Sequence, residues 1–100
     1  MVTHIVAWNL KPDLPDADKE QAALQIKEAL EALDGRIDGL LHIEVLVDAK
    51  ESSQRDVMLY TEFTNEAALQ NYQVHPEHVS ASSFVKTMTV DRMCLDFGRE

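Results

Sequence analysis

The sequence predicts an α+β domain whose elements run βαββαβ around one four-stranded antiparallel sheet. Three observations predict it. Four segments alternate along the chain with the two-residue period of a strand. A long run between the first and second segments, and a shorter one between the third and fourth, repeat apolar residues at helical spacing. Proline, glycine and polar clusters fall between the segments and not within the first three of them.

The first strand covers Val2 to Leu10. Val2, His4, Val6, Trp8 and Leu10 share one face, and Thr3, Ile5, Ala7 and Asn9 the other. Ile5 and Ala7 make that second face apolar too, so both faces are expected to be covered. Pro12 and Pro15 end the run. Asp16 or Asp18 is then expected to cap a helix, with Gln21 placed for a capping box behind Asp18. Ala22, Ala23, Ile26, Ala29, Leu30 and Leu33 line its inner side, and Gly35 is its left-handed stop.

A turn at Ile37-Asp38-Gly39-Leu40 leads into a second strand, in which Leu41, Ile43, Val45 and Val47 alternate with His42, Glu44 and Leu46. His42 is expected on the surface or at a subunit seam. After the polar loop from Lys50 to Arg55, a third strand from Asp56 to Phe63 places Val57, Leu59, Thr61 and Phe63 together. Asn65 caps a short helix carrying Ala68, Leu69 and Tyr72. That helix stops near Val74, because a residue preceding proline is pushed out of the α region. Pro76 suits a first helical position and His75 the N-cap before it. The helix continues to about Met88, and Thr89 to Phe97 forms the last strand. Two β-α-β halves in this order specify a ferredoxin-like arrangement with the helices on one sheet face. The opposite face is apolar enough to need a cover. A second copy packed sheet to sheet is the expected one, as a twofold homodimer.

Bulk properties narrow the function. One hundred residues make a single domain, 1–100. The net charge of −9, without clustered Lys or Arg, excludes nucleic acid and an anionic membrane surface as partners. No apolar run is long enough to span a bilayer. One cysteine, Cys94, precludes an intrachain disulfide and fits a reducing, cytoplasmic setting. Cys94 is expected to be a small buried hydrophobe.

The chemistry concentrates in Tyr72-Gln73-Val74-His75-Pro76-Glu77-His78. Imidazole changes charge nearest neutral pH, so His78 can act as a general base toward a proton alpha to a carbonyl. Tyr72 can donate its hydroxyl to the oxyanion that forms. The plainer reading is that Tyr72 packs and His78 serves its helix turn. His75 has a capping role open to it. His75 and His78, perhaps with Glu77, are a weak metal signal lacking an evident third ligand, so no metal and no cofactor are expected. His4, flanked by Val6 and Trp8, either belongs to the core or lines a pocket between sheet and helices. Asp91-Arg92 reads as a structural ion pair that orients the last strand or crosses to a partner subunit.

Several of these stretches together resemble the Dabb family of stress-responsive α/β-barrel domains. They are Val2-Thr3-His4-Ile5-Val6, Gly35-Arg36-Ile37-Asp38-Gly39-Leu40, the segment from Asn71 to Val79, Asp91-Arg92 and Asp96-Phe97. The resemblance implies a ferredoxin-like dimer whose two sheets close into a barrel. Most members of that family have no assigned activity. A plant polyketide cyclase of the fold uses a Tyr–His pair, which corresponds here to Tyr72 and His78, with His4 and His75 nearby. Where the cyclase has a further pocket histidine this chain has Val57, and a pocket tyrosine of the first helix has no counterpart. The expected pocket is therefore more apolar. The expected function is a small dimeric protein that binds a small apolar ligand or has a protective role. One alternative is a cofactor-independent cyclase- or lyase-like enzyme acting on a hydrophobic carbonyl compound through Tyr72 and His78. Another is a cofactor-free, monooxygenase-like oxidation.

Overall fold

The computed structural model describes residues 1–99. The chain runs β1 (Val2–Leu10), α1 (Asp16–Glu31), β2 (Leu40–Leu46), β3 (Val57–Phe63), α2 (Glu66–Val74), α3 (Pro76–Lys86) and β4 (Thr89–Gly98). The four strands form one sheet in the order β2-β3-β1-β4, every neighbour antiparallel. This is the expected ferredoxin-like α+β architecture.

Register assigns each side chain to a face. His4 stands opposite Thr61 of β3 and Asp96 of β4, and Val6 opposite Leu59 and Cys94. This face packs against the helices: Val2, Val6, Trp8 and Leu10 join Ile26 and Leu30 of α1, Tyr72 of α2 and Val85 of α3 in one core. Val57, Leu59, Thr61 and Phe63 are all buried there. On the other face Ile5 stands opposite Tyr60 and Leu95, and Ala7 opposite Met58 and Met93. Met93, Leu95, Phe97 and Leu46 are exposed, Phe97 at 57 %.

Two bulges depart from plain alternation. In β2 the register slips between Leu40 and His42, so Leu40, Ile43 and Val45 point inward while Leu41 is exposed. The expected grouping of Leu41 with Ile43 and Val45 is corrected by that extra residue, which shifts the two-residue period. In β4 the register slips opposite Trp8, between Ala7 and Asn9, and Asp91 adopts a left-handed φ of 56°. A non-glycine residue with such a φ is uncommon and strained.

Helix ends follow local chemistry with one exception. The Asn65 side chain accepts a hydrogen bond from the Ala68 N–H at 2.8 Å. His75 Nδ1 accepts from the Glu77 N–H at 3.2 Å, directly before Pro76. At α1, however, Pro15 is the N-cap and, among the described residues, no side chain caps the helix. The proline starts the helix at Asp16, one turn too early for an Asp18–Gln21 box. Gly35 takes φ +77° as expected of a left-handed stop, four residues beyond the last helical residue, Glu31.

Candidate functional site

The site is built where β1, β4 and the α2–α3 junction meet. Because α2 is held by its Asn65 cap, Tyr72 is turned into the core and is fully buried. The His75–Pro76 junction then redirects the chain, so that His78 returns over the Tyr72 ring. The two ring centroids lie 4.1 Å apart at a 36° tilt. His78 Nδ1 faces the Gln73 carbonyl at 3.3 Å. Tyr72 also packs against Phe63 at 4.9 Å and His4 at 6.3 Å.

His4 is 3 % exposed and its Nδ1 is joined to the Asp96 carboxylate. Its backbone carbonyl accepts the buried Thr61 hydroxyl at 2.6 Å. The Cys94 thiol lies 3.8 Å from His4 Nδ1 and 3.6 Å from the same carboxylate. Cys94 is exposed, contrary to the buried position expected of it. Edge strand β4 carries no helix over its outer half, so a residue on the inner face there still meets solvent.

A cavity of about 60 Å³ opens between these groups. His4, Gln73, His78, Ser82 and Arg92 supply its polar wall, and Val6, Trp8, Leu30, Leu59 and Val85 its apolar one. The volume suits a functional group of a ligand, since drug-sized ligands occupy about 300–1,000 Å³. Of the residues predicted from sequence, His78, His4 and Trp8 line it. Tyr72 lies behind the His78 ring and not in the wall. His75 is occupied with capping α3. Val57 borders a separate hollow of about 470 Å³ beside the 48–56 loop, where Ala7, Leu46, Met58 and Met93 also lie and which has no imidazole or phenol. Sequence reasoning gave Arg92, Asp96 and Cys94 no place in the site. They stand at alternate positions on β4, and this spacing was the signal available. Within the subunit, Asp91 and Arg92 form no ion pair among the described residues. Asp91 accepts instead from Asn9 Nδ2 at 3.1 Å, and its carbonyl from Arg55 Nε at 2.9 Å.

The electrostatics favour uncharged chemistry. Burial pushes the His78 pKa down, and the neighbouring His4, Arg92 and His75 side chains add to this against the opposing pull of the Gln73 carbonyl. His78 is thus held neutral and able to take a proton. Burial raises the Tyr72 pKa well above that of a free phenol, and its hydroxyl has no hydrogen-bond partner among the described residues. Burial and then the Asp96 carboxylate raise the Cys94 thiol. His4, Cys94 and Asp96 also form a trio of metal-ligating side chains with all three ligand atoms within 4.8 Å of one another.

The family model for the stress responsive A/B barrel domain matches residues 2–98. A dimeric protein of unknown function and ferredoxin-like fold from Bacteroides fragilis is similar, with 34 % identity, a TM-score of 0.88, and coverage of 96 % of this chain and 93 % of that one. A dimeric ferredoxin-like protein of unknown function from Thermobifida fusca shares 22 % identity, with a TM-score of 0.81 over 98 % of this chain and 90 % of that one. A Dabb family protein from Mesorhizobium loti shares 22 % identity, with a TM-score of 0.73 over 99 % and 96 % of the two chains. No curated protein matches the chain. With the family model spanning nearly its whole length, this chain belongs to the Dabb family of stress responsive A/B barrel domains.

Proposed function

We propose that this protein is a homodimer, joined sheet face to sheet face, whose subunits each bind the carbonyl end of a small apolar molecule. The observation that carries the dimer is the exposed row of Met93, Leu95 and Phe97 on β4, with Leu46 on the opposite edge strand, all on the face away from the helices. A small domain gains stability by covering such a surface. The similar proteins from Bacteroides fragilis and Thermobifida fusca, described as dimeric, support the same reading. For the ligand, the support is a cavity with apolar walls and a few convergent polar groups, His78 and Arg92 among them. Light scattering of the purified protein is expected to give twice 11.3 kDa. A monomer at micromolar concentration would refute the dimer.

A second reading is enzymatic, and one observation favours it. Tyr72 keeps a buried hydroxyl unpartnered beside a neutral imidazole, which costs about 1–3 kcal/mol of stability. Tyr72 lies behind the His78 ring, so that ring has to swing aside before a ligand's carbonyl oxygen can accept the hydroxyl while His78 removes the proton alpha to it; enolate formation would then sit at this junction. Incubation of a bound ketone in deuterium oxide is expected to show exchange at its alpha carbon, lost in His78→Gln. Binding without exchange leaves the chain a ligand carrier.

A further inference from the structure

We propose that His4, Cys94 and Asp96 form a binding site for a divalent cation of the zinc class. The site shares His4 with the cavity described above, but it is tested with a metal ion alone and without any organic ligand.

The geometry begins with register. Cys94 and Asp96 alternate on the inner face of β4, and Asp96 stands opposite His4 of β1. The pairing therefore converges three different donor types on one point, across about ninety residues of sequence. Nδ1 of His4, Sγ of Cys94 and the Asp96 carboxylate all lie within 4.8 Å of one another. Around tetrahedral zinc, bonds of about 2.0–2.3 Å set these donors roughly 3.3–3.6 Å apart. Two separations are already close to that: Sγ to Nδ1 is 3.8 Å and Sγ to Oδ2 is 3.6 Å. The third, between His4 Nδ1 and Asp96 Oδ1, is a direct hydrogen-bond contact, and a cation would replace it by spreading the two atoms. Asp96 can give way, because its side chain is 43 % exposed while His4 is held in the core.

Donor chemistry selects the ion. Imidazole with thiolate suits zinc and its neighbours, and a thiolate disfavours magnesium and calcium. One thiolate and one carboxylate balance the charge of a dication. Three protein ligands leave a fourth position open for water or a ligand atom, the arrangement of a reactive zinc and not of a closed structural one. The His75–His78 pair offers no comparable trio, which is why the sequence pointed away from metal.

Cobalt(II) is the probe, titrated anaerobically into the reduced, full-length protein. We expect one cobalt per chain, tetrahedral visible bands, and a near-ultraviolet thiolate-to-cobalt charge-transfer band that zinc abolishes by displacement. Cys94→Ser should remove the charge-transfer band. Asp96→Asn should weaken binding by more than the about 10–100-fold typical of losing an outer-shell partner. Both side chains are exposed, so both variants are expected to keep the wild-type circular dichroism. Two results overturn the site: no charge-transfer band in the wild type, as histidines alone would give, or an affinity unchanged by Asp96→Asn.

Discussion

The imidazole of His78 lies on the phenol ring of Tyr72, centroids 4.1 Å apart, and the buried Tyr72 hydroxyl has no hydrogen-bond partner among the described residues. The arrangement is stable in packing and costly in hydrogen bonding. Tyr72→Phe keeps the ring and removes the orphan, so the variant is expected to unfold at higher urea, by about 1 kcal/mol. If the hydroxyl serves a ligand, the same variant loses carbonyl binding while gaining stability. A variant that loses stability instead would show that Tyr72 has a bonded partner.

His78 should leave a signature in the pH dependence of stability. Its folded pKa lies below its ordinary value of 6.5, so the unfolded chain binds more protons in the window just below 6.5. Stability is therefore full above about 6.5 and is lost as the pH falls through that window toward the folded pKa. Comparison of wild type with His78→Gln by urea titration at several pH values should show a flatter acid limb in the variant. Parallel curves would contradict it.

Glu31 ties α1 to the edge strand β2. Its carboxylate accepts from the Val45 N–H at 2.9 Å and from Lys27 at 2.8 Å, while Lys27 donates to the Val45 carbonyl at 2.7 Å. Burial works against the charge on Glu31, but Lys27 and the Val45 N–H outweigh it and lower the pKa. Glu31→Ala is expected to cost about 1 kcal/mol, discounted for partial exposure. It should also speed amide exchange at Val45, which covers an edge that would otherwise be open. The contribution is present above a pH of about 4.5 and fades as the pH falls through the lowered pKa.

Gly39 and Gly35 share a left-handed φ, near +83° and +77°, but differ in surroundings. A Cβ at Gly39 would fall 2.5 Å from the Cβ of Ala68, whereas one at Gly35 meets nothing within 4 Å. Gly35→Ala should cost about 1 kcal/mol of backbone strain. Gly39→Ala adds overpacking and should cost roughly 2–5 kcal/mol. Equal melting temperatures for the two variants would rule out the close approach of α2 to the β2 turn.

Leu95 and Phe97 should hold the dimer. Leu95→Asp with Phe97→Asp is expected to halve the scattering mass and to leave the far-ultraviolet circular dichroism of the monomer in place, because both side chains project away from the core. A mass unchanged from wild type would move the interface elsewhere.

Much of this was legible from residues. Period-two alternation in β1 and β3 survived intact, since those central strands pair on both sides and the extra residues of both bulges fall in the edge strands β2 and β4. The Asn65 and His75 caps were legible because capping is decided within three residues. Where a neighbour outside the local sequence acts, legibility ended. The Leu41 bulge and the exposure of Cys94 each depend on an edge or a packing partner.

By itself the sequence determined the order of elements, the inner faces of β1 and β3, and the meeting of Tyr72 with His78, because periodicity, proline stereochemistry and capping act over a few residues. Only the tertiary structure decided that Asp96 and Cys94 come to His4 and that Arg92 borders the cavity. Those placements rest on the register of β4 against β1, set by a strained bulge at Asp91 and by hydrogen bonds closed across the length of the chain.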